Sequence, residues 1–285
     1  MFIKKINEVL GPIFLSAFSV LISFLIIQPI GLFLDPSFNL LANKGVGKIA
    51  FSIIVIYQII LMLIFYSKKL LQQFLNYSLY FFKEKCWYKR FLLFFLIFFI
   101  LHAASQFLFL YLGFAIYNPN WGILNLKLIW KISSAFFIVF LLAWSEETIF
   151  RGMVYNYFKQ FFTPLLSIFI TSFIFMLAHD LSNPLNLISK NWKLGLGLFL
   201  LGMLLNLIFV LTDKLYISMG AHMGLVSFKV LLRRAPFILF LPENFLPFYV
   251  HSDLRQSLLV HAFFIVIISF LILKNYKKLS KIHTY

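Results

Sequence analysis

The sequence predicts an all-α fold, a polytopic integral membrane protein built as a bundle of about eight transmembrane helices with one interfacial amphipathic helix. Of the 285 residues, 62% are hydrophobic and 20% aromatic, whereas only 12% are charged, which is far from the composition of a soluble domain. The apolar residues also gather into runs long enough to cross a bilayer as helices. No linker or composition shift divides the chain, so we expect a single transmembrane domain over residues 1–285.

The N-terminal part is expected to hold two spans and the interfacial helix. An apolar run from Leu10 to Leu34 is longer than a signal-peptide core and lacks a small-residue cleavage site, so it predicts an uncleaved first span. A second run covers Ile49 to Tyr66. Apolar residues then recur at helical spacing and a basic cluster follows, which predicts an amphipathic helix at the interface. Its apolar residues are Leu71, Leu75, Leu79 and Phe82, and the basic cluster is Lys83, Lys85, Lys89 and Arg90.

Six further spans complete the predicted bundle. Proline is tolerated at the start of a helix but not within it, so Phe161 to Pro164 predicts a hairpin turn between the fourth and fifth spans. The seventh span is short and carries glycines, as expected of a helix buried among others. The six spans are Phe91 to Tyr117, Ile129 towards Phe161, Pro164 to His179, Leu194 to Leu211, Leu215 to Leu232, and Ser257 to Leu273.

The basic residues predict contacts with lipid and an orientation in the membrane. The formal charge of +16 does not indicate nucleic acid binding, because the lysines cluster in connecting segments, where they orient helices and touch anionic lipid head groups. Eight spans place both termini on one side, and that side holds fifteen of the 25 basic residues. We therefore expect both termini in the cytoplasm. A single cysteine, Cys86, excludes an internal disulfide and a cysteine metal cluster.

Two adjacent carboxylates and an arginine interrupt the apolar fourth span in the segment Trp144 to Gly152, W-S-E-E-T-I-F-R-G. A charged side chain at the bilayer centre costs about 2.5–3.5 kcal/mol on insertion scales, so such residues are rare and usually functional. Arg151 follows Glu147 by four residues, the favourable order for an ion pair on a helix. Glu146 has no partner at that spacing and is free for chemistry. The alternative is a buried salt-bridge cluster that only fixes helix packing.

His179 is expected at the same depth in the membrane as Glu146. Glu146 lies 15 residues before Phe161 and His179 lies 15 residues after Pro164, so each is roughly 22 Å from the turn. Antiparallel packing of the two helices therefore brings both residues to the same depth. A carboxylate beside an imidazole in apolar surroundings can activate a water as a general base. The same pair could instead ligate zinc.

His222 is the third candidate, in the segment G-A-H-M-G. Gly220 and Gly224 form a small-xxx-small pair, which lets a neighbouring helix approach closely and carries His222 towards the bundle interior. The alternative is a hydrogen-bonded histidine on a packing helix. His102 and His261 have no comparable motif around them, and we interpret both as structural.

These motifs resemble the CAAX protease and bacteriocin-processing family of intramembrane endopeptidases, which includes the Ras-converting CAAX prenyl endopeptidase. The family pattern is E-E-x-x-x-R, then F-x-x-x-H, then H-x-x-x-N on separate membrane helices. This chain has E-E-T-I-F-R from Glu146, F-M-L-A-H ending at His179, and the later His222. The resemblance covers about residues 145–226. No H-E-x-x-H helix is present, so the chain is not an ordinary zinc protease of that type.

The resemblance implies a catalytic core over about residues 129–232 and a role for each motif residue. Glu146 would act as general base on the attacking water with help from His179, while Glu147 and Arg151 would support the geometry. His222 would polarise the scissile carbonyl or complete a zinc site with Glu146 and His179. Family members have been described both as zinc metalloproteases and as metal-free glutamate proteases, so the cofactor stays open. The implied partner is a peptide or protein substrate at the membrane, and the implied location is a bacterial cell membrane.

Val226 departs from the family pattern, because it stands where the family has asparagine. Valine can neither donate a hydrogen bond nor ligate a metal, and losing one oxyanion donor typically costs on the order of 10²–10³ in rate. Ser227 and Asn206 are the residues that could compensate. An inactive family member with a binding or bacteriocin-immunity role is therefore the second hypothesis. A transporter with a proton or cation relay is the third, and the lack of an inverted repeat argues against it.

Overall fold

The computed structural model describes residues 84–119, 126–180 and 183–280, together with residues 21, 22, 25–29, 32, 33 and 36. Within the predicted first span, the described residues are all helical. The predicted second span and the predicted interfacial helix lie outside the described residues. Two members of the basic cluster, Lys89 and Arg90, belong to the first turn of the next helix.

Apolar helices make up most of the described chain. The helices are α1 (Trp87–Tyr111), α2 (Leu126–Glu147), α3 (Asn156–Phe158), α4 (Pro164–Leu177), α5 (Trp192–Thr212), α6 (Leu215–Arg234), α7 (Leu258–Lys274) and α8 (Tyr276–Leu279). A π-helical segment, Thr148–Tyr155, joins α2 to α3 without a break. Single 3₁₀ turns cover Pro184–Leu187, Glu243–Phe245 and Leu254–Gln256, and two strands are β1 (Ala115–Tyr117) and β2 (Ile238–Phe240).

Four of the described helices are long and apolar enough to cross a membrane. They correspond to the predicted third, fourth, sixth and seventh spans, and their bounds are Trp87–Tyr111, Leu128–Phe158, Trp192–Thr212 and Leu215–Arg234. The predicted fifth and eighth spans are the shorter apolar helices Pro164–Leu177 and Leu258–Lys274. The chain is thus an integral membrane protein with four candidate spans among its described residues.

The prediction of a purely helical chain is wrong at the end of the third span. α1 ends at Tyr111, and Gly113 then adopts φ +77°, a left-handed conformation that glycine accepts without steric cost. The strand Ala115–Tyr117 that follows pairs antiparallel with Ile238–Phe240, the strand after α6. Each strand is a short apolar run, which hydrophobicity alone cannot distinguish from the end of a buried helix.

α1 and α6 pack side by side in parallel, because glycines on α6 let their backbones approach. A Cβ atom on Gly220 would lie 2.5 Å from the carbonyl oxygen of Phe91, and one on Gly224 would overlap the carbonyl oxygen of Phe95. The close helix approach expected from these two glycines is therefore present, and α1 is the neighbour. His222 lies about 200° around α6 from Gly220, so it faces away from α1 and into the bundle. Most of α5 and α6 is buried, whereas α1 and α2 are largely exposed at the outside.

The predicted hairpin turn before α4 is confirmed. α4 begins at Pro164, and the Thr163 hydroxyl caps it by accepting a hydrogen bond from the backbone N–H of Leu166 at 3.3 Å. α4 then packs on α5, where a Cβ atom on Gly202 would lie 3.1 Å from the Cα of Ser172. This turn and this contact set the register between Glu146 in α2 and the end of α4.

Candidate active site

Glu147 is the centre of a fully buried polar cluster. Its Oε1 accepts hydrogen bonds from Arg151 NH1 at 3.0 Å and from His222 Nδ1 at 2.9 Å. Its Oε2 accepts a short hydrogen bond from the Ser218 hydroxyl. Glu147 and Arg151 are both 0% exposed, and a buried charge of this kind persists only when it is paired and hydrogen-bonded. The ion pair expected from their spacing is present, and the hydrogen bonds of His222 and Ser218 to Glu147 join α2 to α6.

Arg151 ties the same cluster to α5 and α4. Its NH2 donates to the carbonyl oxygen of Gly202 at 3.2 Å, and its guanidinium carbon lies 4.8 Å from the ring centroid of Phe175. The arginine thus donates hydrogen bonds to the carboxylate four residues before it and to the backbone of a neighbouring helix. Glu146 receives no hydrogen bond from it.

The contact with Glu147 fixes which face of the His222 ring is available. An ionised carboxylate can only accept hydrogen bonds, so His222 Nδ1 carries the hydrogen in that contact. The other ring nitrogen, Nε2, points at Glu146 and lies 3.7 Å from its Oε2. His222 is 4% exposed, so its orientation is held inside the bundle.

Glu146 differs from Glu147 in having no hydrogen-bond donor among the described residues. Its Oε2 is buried and accepts no hydrogen bond, although the side chain as a whole is 19% exposed. An unsatisfied buried carboxylate oxygen is costly unless a water or a ligand contacts it. At a separation of 3.7 Å, one water molecule can contact both this oxygen and His222 Nε2.

His179 reaches the same site from the end of α4. Its Nδ1 lies 2.8 Å from the carbonyl oxygen of Phe175, which can only accept, so Nε2 is again the nitrogen left open. The Phe175 ring packs between the histidines, with its centroid 4.5 Å from that of His179 and 6.3 Å from that of His222. Glu146 is near enough to act electrostatically on the His179 imidazole. The structure therefore places Glu146 beside His222, and His179 beside the Phe175 ring that His222 also contacts.

The π-helical segment shapes the helix directly after the two glutamates. Its wider turns leave backbone carbonyls without regular helical partners, and π-helical turns are frequent at functional sites. Asn156 compensates, because its side-chain amide donates to the carbonyl oxygens of Arg151 at 3.0 Å and Gly152 at 3.1 Å. The sequence predicted an ordinary α-helix here.

A charged loop lies beside the site. Asp253 accepts hydrogen bonds from Lys229 on α6 and from Arg255 two residues later, and we call these three residues the Asp253 cluster. Burial by itself would raise the pKa of Asp253, but the hydrogen bonds and charges of Arg255 and Lys229 outweigh burial and hold that pKa well below its usual value. The loop is therefore charged at neutral pH, and Arg255 is among the charges that act on His179.

The structure adds Ser218 to the residues that sequence reasoning proposed. Ser218 lies four residues before His222, on the same face of α6, and this spacing is the signal that could have identified it. Asn206, a proposed substitute for the family asparagine, donates instead to the Ser172 hydroxyl at 2.9 Å. The Ser227 hydroxyl is buried and has no hydrogen-bond partner among the described residues. His102 and His261 each bond a backbone carbonyl, that of Leu225 and that of Arg255.

The geometry does not support zinc ligation by Glu146, His179 and His222. The open Nε2 atoms and the unsatisfied carboxylate are donors that zinc accepts. Within the described ranges, however, no three His, Cys, Asp or Glu side chains are arranged so that they could hold one metal ion.

The helices and the site together define a class of protein, a membrane-embedded helical bundle with a buried carboxylate and histidine centre. Residues 128–228 match a family model described as Type II CAAX prenyl endopeptidase Rce1-like. The matched segment contains the two glutamates, His179 and His222, so it confirms the resemblance drawn from the motifs. No curated protein and no solved structure gives a significant match to this chain.

Proposed function

We propose that this protein is an intramembrane endopeptidase that hydrolyses a peptide bond of a membrane-associated substrate, with Glu146 as the general base. The observation that carries the proposal is the buried Oε2 of Glu146, which accepts no hydrogen bond from the described residues and lies 3.7 Å from His222 Nε2. A salt-bridge cluster that only fixes packing would pair Arg151 with both carboxylates, whereas of the two glutamates Arg151 bonds only Glu147. The match to the endopeptidase family supports the same conclusion.

In the proposed reaction, a water bound at Glu146 Oε2 attacks the scissile carbonyl carbon. Glu146 takes one proton from this water as the new C–O bond forms, and the Nε2 of His179 accepts a hydrogen bond that orients it. The tetrahedral intermediate then collapses as the C–N bond breaks, and Glu146 returns the proton to the leaving amine. No atom is left over, and the carboxylate is restored.

His222 and Glu147 act together in this scheme. His222 donates a hydrogen bond from Nε2 to the carbonyl oxygen, where negative charge develops. For this, His222 takes up a proton from solvent at Nε2 before the attack and keeps it through the cycle, and the buried Glu147 carboxylate at Nδ1 balances the added positive charge. Ser218 and Arg151 hold that carboxylate in place, which makes Glu147, Ser218 and Arg151 positioning residues.

Cleavage of a proteome-derived peptide library by the detergent-purified protein tests the proposal. We expect the wild-type protein to cut a set of peptides that its Glu146→Gln variant leaves intact, with the fold of the variant unchanged. Glu243→Gln is the matched control, because Glu243 is 77% exposed and its carboxylate pairs with His251 rather than with a residue of the buried cluster. Repeating the assay with a zinc chelator tests the mechanism: unchanged activity supports the glutamate mechanism, and loss of activity would replace it with a metal-dependent one.

A catalytically silent relative with a binding or bacteriocin-immunity role is the second candidate, and Val226 is the observation that favours it. Its side chain offers no donor at the position of the family asparagine. If the wild-type protein and Glu146→Gln give identical peptide patterns, this second candidate replaces the first.

A further inference from the structure

The Asp253 cluster has an excess of positive charge. Asp253 Oδ2 lies 2.5 Å from Lys229 Nζ and 2.7 Å from Arg255 NH2, and its Oδ1 lies 3.1 Å from Arg255 Nε. One carboxylate thus faces two cations. Arg233, one turn further along α6, adds to the positive charge at Lys229. An anion that approaches this loop is therefore attracted to it.

Arg255 keeps one side of its guanidinium unused. The Nε and Nη2 atoms donate hydrogen bonds to Asp253. The remaining nitrogen, Nη1 (NH1), makes no hydrogen bond to the described part of the chain. The side chain is 36% exposed, so a ligand can reach it. A guanidinium already held by one carboxylate is oriented in advance, which reduces the entropy lost when it binds a second one.

The backbone at Arg255 is also fixed in position. Its carbonyl oxygen accepts a hydrogen bond from His261 Nε2 at 2.9 Å. The same oxygen packs against Gly197 of α5 so closely that a Cβ atom there would overlap it. Both contacts hold the loop against the bundle. The point of contact, Gly197, lies on α5 before Gly202, the residue of α5 that packs against Phe175.

The cluster lies about two helical turns from the reacting groups. Lys229 follows His222 by seven residues on the same face of α6, a rise of roughly 10.5 Å. Gly197, which contacts Arg255, precedes Gly202, which contacts Phe175, by five residues of α5, or about 7.5 Å. An extended peptide advances about 3.3 Å per residue, so two or three residues cover this distance.

We propose that Arg255 is a specificity-determining residue whose NH1 binds a carboxylate of the substrate peptide two or three residues from the bond that is cut. The proposal rests on the proposed peptidase function and names a feature of its substrate. The carboxylate is supplied by an aspartate or glutamate side chain or by the C-terminus of the peptide. Asp253, which Lys229 also bonds, holds Arg255 in the orientation that this contact needs.

Peptide binding to the Glu146→Gln variant tests the proposal without requiring turnover. The probe is a fluorescently labelled nine-residue peptide of alanine, leucine and serine in three forms. The first is amidated and neutral, the second carries one glutamate at each position in turn, and the third has a free C-terminal carboxylate. We expect at least one carboxylate form to bind about tenfold more tightly than the neutral one, as one hydrogen bond to a charged group allows. Which form gains affinity identifies the source of the carboxylate.

Adding Arg255→Gln to this variant should abolish the preference, so that all forms bind like the neutral peptide. Adding Arg234→Gln is the matched control and should leave the preference intact, because Arg234 is an exposed arginine at the end of α6. Arg255→Lys keeps the positive charge and should retain part of the preference, which covers the case in which Arg255→Gln fails to fold. Equal affinity of all three forms, or a preference that survives Arg255→Gln, would overturn the proposal.

The proposed peptidase function stands or falls on a different measurement. Loss of cleavage in Glu146→Gln relative to the wild-type protein is a turnover result, whereas the preference at Arg255 is a binding result. A protein that binds carboxylate peptides through Arg255 but cuts none would reject the peptidase and keep the binding site.

Discussion

At the scale of single residues, two adjacent glutamates in one helix have opposite environments. Glu147 accepts three hydrogen bonds, so both of its oxygens have a donor. Glu146 has a buried oxygen that accepts no hydrogen bond from the described residues. They differ because consecutive residues point about 100° apart on a helix. Glu147 faces α6 and Arg151, and Glu146 faces the space beside the two imidazoles. One glutamate therefore builds the site, and the other is left for the reaction.

The buried ion pair between Arg151 and Glu147 is expected to stabilise the fold. Replacing Arg151 with methionine keeps much of the side-chain volume but leaves the buried Glu147 carboxylate without its cation. Breaking a buried pair in this way typically costs about 3–5 kcal/mol. We expect Arg151→Met to lower the free energy of unfolding by that amount, measured by equilibrium unfolding in mixed micelles. Arg234→Met, at an exposed helix end, should change it by less than about 0.5 kcal/mol. Equal stability of the two variants would mean that the pair does not hold the helices together.

The side chain at position 226 is expected to affect the rate of peptide cleavage. It lies one turn after His222 on α6, where the family asparagine would offer a hydrogen-bond donor. We expect Val226→Asn to raise kcat on a cleaved peptide, by up to about 10²-fold if the missing donor stabilises the oxyanion. Val226→Leu has nearly the shape of the asparagine variant without its amide and should give no increase. Similar rates for the two variants would show that the chain does not need this donor.

Much of the residue-level pairing follows from spacing alone. The i, i+4 relation joins Glu147 to Arg151, and the distances of Glu146 and His179 from the Pro164 turn place them at one depth. Ser218 and the contact between Glu147 and His222 depend on how α6 is rotated against α2. That rotation comes from the packing of three helices, and no spacing within one helix encodes it.

At the scale of helices, glycines determine which backbones can meet. Gly220 and Gly224 lie against α1, Gly202 against α4, and Gly197 against the loop at Arg255. Each contact brings a functional side chain into place, since His222, Arg151 and Arg255 all depend on one of these approaches. Close packing through small residues is the usual way in which membrane helices associate, because lipid supplies no hydrophobic force between them.

The close contact between Gly224 and α1 is expected to contribute to stability. A Cβ atom there would overlap the Phe95 carbonyl oxygen, and a backbone atom cannot move aside cheaply. We expect Gly224→Ala to lower the free energy of unfolding by about 1–3 kcal/mol, the usual cost of overpacking. Gly152→Ala is the control, because a Cβ atom at Gly152 would have no atom within 4 Å. If both variants unfold alike in mixed micelles, the contact between α1 and α6 is looser than the structure shows.

The helix boundaries show what the sequence can and cannot predict at this scale. The start of α4 at Pro164 was predictable, because proline and Thr163 form a local start signal. The π-helical segment and the strands were not. A π-helical turn depends on tertiary contacts such as those of Asn156, and the two strands depend on each other across more than a hundred residues of chain.

At the scale of the whole molecule, α1 and α6 fix which ends of the bundle correspond. An ion pair of 2.6 Å between Glu84 and Lys214 joins the beginnings of the two helices. The strands β1 and β2 join their ends. Cys86, just before α1, and the loop with Asp253, which follows α6 and β2, therefore lie at opposite ends of the bundle.

This arrangement allows the proposed orientation to be tested with the single native cysteine. If both termini are cytoplasmic, Cys86 should react with a membrane-impermeant maleimide in inside-out vesicles and not in right-side-out ones. Ser252→Cys in a Cys86→Ala background is the matched probe, since Ser252 is exposed in the loop at the other end. It should show the reverse pattern. Labelling of both cysteines from the same side of the membrane would reject the topology. If Cys86 reacts only in right-side-out vesicles and Ser252→Cys only in inside-out ones, the orientation is the opposite of the proposed one.

The proposed peptidase requires Glu146, which lies beside His222, to act as its general base. The most direct measurement is kcat for Glu146→Gln and for Glu243→Gln on the best-cleaved library peptide, with equal folded fractions of both proteins. Loss of a general base typically lowers the rate by about 10²–10⁴-fold. We expect a loss of that size for Glu146→Gln and a change of less than about twofold for Glu243→Gln. Equal turnover by both variants would contradict the claim and leave the buried carboxylates with a role in packing or binding.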